Sequence, residues 1–259
     1  ELPSSYIKTR DYKELLGNKN IDGVIIATPP PTHFSIASQF VKRGFNLLIE
    51  KPLTTSLQDA LKLKQLAQKH GVIVMVGHIY RYHPAFAALK EQMKRIGKLK
   101  FIIAEGMDYG PIRSDVSALW DWAPHDISMC LAILGVRPLS VAAWGVKALR
   151  PRTNLYDMVS IRLSFPRNVI ALITVGWLSP VKKRNLAAVG ERGSLIFDDV
   201  AKRKVTLIEG LGANQRVIYP TYLKELPLAF EVLEFIDWIK NKRKPRTDIN
   251  EGVTVIQII

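Results

Sequence analysis

The stretch from Ile21 to Pro52 constrains this chain more than any other. Val24-Ile25-Ile26-Ala27 is apolar without alternation, the mark of a parallel strand covered on both faces. Thr28 and the three prolines after it stop that strand. Phe34, Ala37 and Val41 then recur at helical spacing, with His33 and Phe40 beside them, and Gly44 stands where a C-cap belongs. Leu47-Leu48-Ile49 reads as a second strand, ending in Glu50-Lys51-Pro52. Two strands joined by one crossover helix make a βαβ unit, and hence a parallel sheet. Ligands of open α/β sheets lie outside the carboxyl ends of the strands. Both strands here end in unusual sequence, so a site is expected at Thr28 to His33 and Glu50 to Pro52.

Downstream, Thr54-Thr55-Ser56 offers N-cap hydroxyls for a helix that Gly71 ends. Val72 to Val76 is another buried strand, followed by Gly77-His78-Ile79-Tyr80-Arg81-Tyr82-His83-Pro84, and Pro84 opens a helix through Arg95. From about Lys98 the pattern changes. Residues 98–107, 139–149, 156–165, 169–179, 184–190 and 194–197 read as strands, rich in β-branched residues and separated by Pro, Gly and Asn. Phe165-Pro166-Arg167-Asn168 suits a hairpin turn. Short connections between consecutive strands argue an antiparallel sheet, interrupted by a helix at 122–134 and followed by one at 228–241.

Of 259 residues, 37 are Lys or Arg against 23 Asp or Glu, a net charge of +14. Such a surplus suits nucleic acid, an anionic membrane surface or acidic small molecules. The cations are spread along the chain, and no helix-turn-helix, zinc-finger or RNP pattern accompanies them, so an anionic small substrate is favoured over nucleic acid or membrane. A single cysteine, Cys130, excludes an intramolecular disulfide and reads as a buried thiol. No apolar span long enough for a membrane is present, and a cytoplasmic protein is expected. His33, His78, His125 and Cys130 lack zinc-ligand spacing, so no metal is expected.

A second chemical constellation is Trp120-Asp121-Trp122-Ala123-Pro124-His125-Asp126. Asp121 either caps the helix, with Pro124 in its first turn, or shares a helical face with His125 and converges with it on one ligand. Histidine is suited to take a proton from an alcohol near neutral pH, and a neighbouring lysine to stabilise the oxyanion.

Ala27-Thr28-Pro29-x-x-x-His33 followed by Glu50-Lys51-Pro52 resembles the glucose–fructose oxidoreductase/inositol dehydrogenase/MocA family of NAD(P)-dependent oxidoreductases. Gly77-x-x-x-Arg81-Tyr82-x-Pro84 and Asp121-x-x-x-His125 are similar to further stretches of that family. The resemblance implies a Rossmann-type parallel sheet over residues 1–82, followed over 83–259 by an α+β domain with a large, mostly antiparallel sheet for substrate binding and oligomerisation. The final helix is a candidate to pack back on the first domain. No Gly-x-Gly-x-x-Gly turn occurs, so the chain is expected to begin part-way into the nucleotide-binding domain.

The resemblance also implies roles. His125 is the acid–base group, Lys51 assists it and Asp121 orients a substrate hydroxyl. NAD or NADP is expected along Thr28, Pro29, His33, Glu50, Lys51, Pro52 and His78. Arg81 either anchors an anionic substrate or pairs with an acid. Trp177, with Lys182 and Arg184 close behind it, offers an aromatic and cations for a sugar ring and a phosphate, or else a solvated turn. The reading that follows is an oxidoreductase acting on a carbohydrate hydroxyl or ketone. Its Leu-Trp-Asp-x-Ala-Pro-His-Asp stretch looks most like relatives that act at the 3-position of a UDP-hexose or UDP-hexuronic acid. Free sugars and inositols are the competing substrates. The alternative class is a non-catalytic binding or assembly protein on the same fold. A sheet face without a helical cover suggests a homo-oligomer, dimer or tetramer.

Overall fold

The structure, a computed structural model, describes residues 6–259; the first five residues of the 1–82 unit lie outside the described residues. After a 3-10 turn at Tyr12–Gly17 come β1 (Gly23–Ile26), α1 (His33–Lys42), β2 (Asn46–Glu50), α2 (Leu57–His70) and β3 (Val74–Gly77). These strands form a parallel sheet in the order β1-β2-β3. The caps are those the side chains dictate. Ser56 Oγ accepts a hydrogen bond from Asp59 N at the start of α2, and Gly71 closes it in the left-handed region at φ 62°.

Next come α3 (Pro84–Gln92), β4 (Leu99–Tyr109), α4 (Ala118–Leu134), β5 (Ser140–Val146), β6 (Met158–Ser164), β7 (Ile170–Gly176), β8 (Leu178–Gly190), β9 (Gly193–Asp198), β10 (Val205–Glu209) and β11 (Arg216–Ile218). The eight strands form one sheet, β11-β10-β9-β8-β4-β7-β6-β5, antiparallel except where β4 meets β7. Arg167 and Asn168 both adopt positive φ in the β6–β7 hairpin, the conformation that matches such a turn to strand twist. The sequence reading missed β10 and β11, whose short runs sit among glycines and cations.

Alternation along the large sheet decides what covers it. Ile102, Ala104, Ile161, Ile173, Val175, Leu186 and Ala188 face inward onto α3 and α4, in one core with Phe86, Leu89, Ile127 and the buried Cys130. Ile103 and Leu172 are partners in register on the opposite face and are 42% and 36% exposed.

The chain then returns to the small sheet. α6 (Ile249–Ile258) adds Ile249, Val253 and Ile256 to the core that α1 and α2 form with Leu47, Ile49, Val74 and Val76. α5 (Pro227–Asn241) covers the other face, where Phe235 and Trp238 meet Leu48 and Met75. Gly23 permits this approach, since a Cβ there would lie 2.6 Å from Ile239 and 2.9 Å from Phe235. Coverage on both faces is why β2 and β3 lack polar alternation, whereas on β1 Ile25 is left 51% exposed. Among the described residues no helix is long and apolar enough to cross a membrane.

α5 also buries a carboxyl. Glu231 is fully buried and neither carboxyl oxygen has a hydrogen-bond partner. Burial, reinforced by Glu50 and Glu234, pushes it up to about 8. Between the ordinary carboxyl range and that value the folded chain holds a proton that the unfolded chain releases, so stability falls as pH rises through this window. Urea titrations at pH 5 and pH 8.5 should show the wild type losing on the order of 3 kcal/mol more than Glu231→Gln. Parallel pH dependences would show that Glu231 is ionised in the folded state.

Candidate active site

The carboxyl ends of β1 to β3 place the two unusual turns side by side. Thr28 and Pro29 are exposed at the end of β1, while Glu50 and Lys51 are half-buried at the end of β2. The Lys51–Pro52 peptide is cis. His33 joins the turns: it is fully buried, and its ring nitrogens face the carbonyls of Pro52 at 2.9 Å and Thr28 at 2.8 Å. Both nitrogens are thus spent on backbone, which corrects the expectation that His33 contacts cofactor.

α4 supplies the other half. It begins at Ala118, a turn earlier than the sequence pattern indicated, with Ser117 at the N-cap position. Asp121 is therefore inside the helix, on one face with His125. Lys51 Nζ donates to the Asp121 carbonyl at 2.5 Å and to Asp121 Oδ1 at 3.2 Å. Arg113 Nη1 reaches the same Oδ1 at 3.3 Å, and Trp177 Nε1 donates to Oδ2 at 3.2 Å. Asp121 thus holds the lysine, and since a carboxylate accepts about four hydrogen bonds, these three leave Oδ2 an acceptor site for the expected substrate hydroxyl.

Burial holds the Lys51 ammonium below its ordinary range, and Asp121 opposes that shift. His125 is 8% exposed, its Nδ1 is buried without a partner, and the edge of the Tyr80 ring lies 5.0 Å away, centroid to centroid. Burial first, then the charges of Lys51, Arg184 and His78, keep His125 well below the usual histidine range. The arrangement therefore presents a neutral imidazole beside a cation, which can accept a proton and stabilise the oxyanion left behind.

Other candidates fall elsewhere. Arg81 pairs with Glu251 of α6 at 2.6 Å, and His78, 1% exposed, turns Nδ1 to the same carboxylate at 3.2 Å. Both tie the end of β3 to α6, Arg81 as the ion-pair partner of an acid and His78 through Nδ1 alone. Tyr82 is buried with its hydroxyl against Thr247 at 2.6 Å. Trp177 is fully buried beneath Arg150, whose guanidinium lies 5.3 Å from the ring centroid, so it offers no face to a sugar. Strand alternation splits the cationic run. Lys182, 60% exposed, pairs with Asp108, Lys183 pairs with Glu105 on the open face, and Arg184 is buried on the inner face.

Sequence reading missed Arg113, Arg150 and Tyr80. Arg150 donates to the Arg113 carbonyl and to Asp157 Oδ1, fixing the loop that carries Arg113 over Asp121. An arginine in an aperiodic loop gives no signal by spacing; only the neighbouring Asp115, which Arg113 also pairs at 2.6 Å, marked it as other than solvated.

The exposed Thr28-Pro29 turn and half-buried Glu50 and Lys51 lie at the carboxyl ends of β1 and β2, where such a sheet holds a nicotinamide cofactor, and Lys51 joins them to α4, which carries His125. Thr28, Pro29, Glu50 and Lys51 would hold that end of the cofactor. A glycine-rich turn for its pyrophosphate is not among the 259 residues.

Residues 4–78 match a family model described as "Oxidoreductase family, NAD-binding Rossmann fold", and residues 88–196 match the GFO/IDH/MocA C-terminal domain. The crystal structure of a protein described as an oxidoreductase from Magnetospirillum magnetotacticum MS-1 is 31% identical. It aligns with 99% of this chain and 85% of its own at a TM-score of 0.89. UDP-N-acetylglucosamine 3-dehydrogenase of Acidithiobacillus ferrooxidans is 32% identical over 152 residues, 58% of this chain and 47% of the relative, so the matched segment spans about half of that enzyme. A crystal structure of that enzyme superposes with a TM-score of 0.86 at 25% identity, over 96% of this chain and 79% of that one. The scyllo-inositol 2-dehydrogenase (NAD(+)) of Bacillus subtilis is 26% identical over 95% of this chain and 76% of its own. With both of its sheets matched and an aligned relative above 30% identity, the chain belongs to the GFO/IDH/MocA family of oxidoreductases.

Proposed function

We propose that this chain is a nicotinamide-dependent dehydrogenase that interconverts a secondary hydroxyl and a ketone on a carbohydrate, the sugar of a nucleotide sugar at its 3-position. The observation that carries the reading is the meeting of Lys51 and Asp121, 70 residues apart, with His125 one helical turn beyond. The likeness to UDP-N-acetylglucosamine 3-dehydrogenase supports the nucleotide-sugar substrate. The inositol dehydrogenase match, which runs over 95% of the chain, supports a free inositol or sugar as the second reading. The division of labour falls near residue 82, with cofactor on the first side and substrate on the second, in a cytoplasmic protein.

In the oxidation direction His125 takes the hydroxyl proton, since it is neutral and its ring edge is clear of backbone partners. Lys51 places its charge at the oxygen, and Asp121 fixes the direction of that ammonium. Trp177 and Arg113 keep the Asp121 carboxylate from rotating away. Bound NAD or NADP supplies the two-electron acceptor.

Titration of the full-length protein with NADH and NADPH, followed by nicotinamide fluorescence, tests the reading first; intact protein that binds neither sinks it. In the active enzyme, Lys51→Ala and His125→Ala should each lower kcat by at least about a thousandfold while the fold survives, as loss of a proton acceptor or oxyanion partner does. The pH profile of kcat/KM for oxidation should stay level from neutrality down to about pH 6.5 and fall only below it, because His125 titrates below its ordinary range. An acid limb centred above pH 7 would contradict His125 as the acceptor.

The open face of the large sheet carries Ile103, Leu172 and the 63% exposed Trp144 on one side, and we assign it to a second copy of the chain. Light scattering should give a dimer or tetramer that Ile103→Glu with Leu172→Glu breaks into smaller species. A monomeric wild type would remove the assignment.

A further inference from the structure

The cations singled out near the active site are committed within the protein. Arg81 pairs with Glu251, Lys182 with Asp108, and Arg184 is enclosed beside Asp126. Other cations gather close by. Tyr80, whose ring lies 5.0 Å from that of His125, also lines a cavity of about 510 Å³. Lys202, Lys204 and Lys224 line the same cavity, whose volume falls within the roughly 300–1,000 Å³ of small-molecule sites.

The three lysines face two carboxylates, Asp199 and Glu225. Asp199 is fully engaged inside the protein. It accepts from the Tyr80 hydroxyl at 3.3 Å, faces His83 Nε2 at 3.1 Å and pairs with Lys204 at 2.6 Å. His83 first, then Lys204, hold its carboxyl well below the usual range. Lys202 and Lys224 are exposed and make no ion pair among the described residues. The start of α5 opens here too. Its N-cap residue Leu226 makes no side-chain hydrogen bond to the helix, so the positive end of the helix dipole adds to the lysines.

The rest of the lining is apolar. Leu223 is 62% exposed and Leu226 74% exposed, a high figure for leucines at the edge of a cavity. Tyr222 stands between them and Lys204, fixed by its hydroxyl, which accepts from Lys204 N at 3.2 Å. Unpaired ammonium groups on one part of the wall and bare leucines on another are both accounted for by a single ligand, an anion attached to a ring. Ammonium groups bind phosphate as point charges, and a ring takes apolar surface out of water.

We propose that this cavity binds an organic phosphate, with the phosphate on Lys202 and Lys224 and the attached ring against Leu223 and Leu226. That chemistry has two sources. One is the nucleotide end of a substrate whose sugar reaches His125 past Tyr80; the other is a free nucleotide bound beside the site. Only the first rests on the dehydrogenase reading above.

Calorimetry of the full-length protein with UDP tests the site without turnover. UDP should bind, and Lys202→Gln with Lys224→Gln should weaken it at least about 30-fold, as loss of two charge-assisted contacts does. Lys69→Gln with Lys240→Gln removes the same charge from exposed positions on α2 and α5 and should change the affinity less than about threefold. Absence of UDP binding overturns the proposal. Equal losses in the two double variants overturn it as well, since net charge alone would then be read. Inorganic phosphate should bind at least about tenfold more weakly than UDP, and equal affinities would remove the ring contact. Kinetics separate the sources. For the nucleotide end of a substrate, UDP raises KM for a UDP-sugar at constant kcat, and the Lys202/Lys224 double variant raises that KM but not the KM for a free inositol. For a free nucleotide, UDP binds equally well at saturating UDP-sugar. UDP binding by a protein that takes up neither NADH nor NADPH would keep the site and sink the dehydrogenase reading. Turnover without UDP binding would do the reverse.

Discussion

The contact between Lys51 and Asp121 is the joint on which this structure turns. It links the end of a strand in the small parallel sheet to the first turn of a helix packed on the large sheet. Two charges with side chains only 18% and 14% exposed cannot be brought together cheaply. Desolvation of such a pair is offset only when geometry is good and the remaining hydrogen-bonding capacity is met. The protein meets it with Trp177 on one carboxylate oxygen and Arg113 on the other. Arg150 and Asp157 in turn fix the loop behind Arg113. Residues from four separate stretches are therefore committed to the orientation of one ammonium group.

The fold was legible to the degree that burial leaves a periodic trace. Strands covered on both faces read as continuous apolar runs, and those covered on one face read as alternation, so the change of sheet near residue 98 was visible. What escaped was short or locally ambiguous. β10 and β11 are five and three residues long. The start of α4 was placed late because Pro124 resembles a first-turn residue, although it lies well inside the helix.

The site was legible in part, for a different reason. Lys51, Asp121 and His125 stand in compact motifs at strand and helix ends, and the structure brings them together. His33 and Arg81 carry the same chemistry at similar places but are spent on carbonyls and on Glu251, to which His78 also turns its Nδ1. Residue type announces what a side chain can do, whereas its partner decides what it does. That partner lies up to 173 residues away, in the case of His78 and Glu251. Trp177 shows the same limit: its aromatic face pointed to a ring-binding platform, and its indole N–H proved to matter instead.

The return of α5 and α6 to the small sheet bears on how the chain comes to be folded. Both faces of β2 and β3 are finished by segments that follow the whole large sheet in the chain. Glu251, which holds His78 and Arg81 at the mouth of β3, comes from α6, 173 residues after His78 in the chain. A nascent chain thus carries an unfinished sheet with one bare apolar side until α5 and α6 emerge. The cofactor end of the site therefore waits for chain that follows the sheet bearing the substrate end.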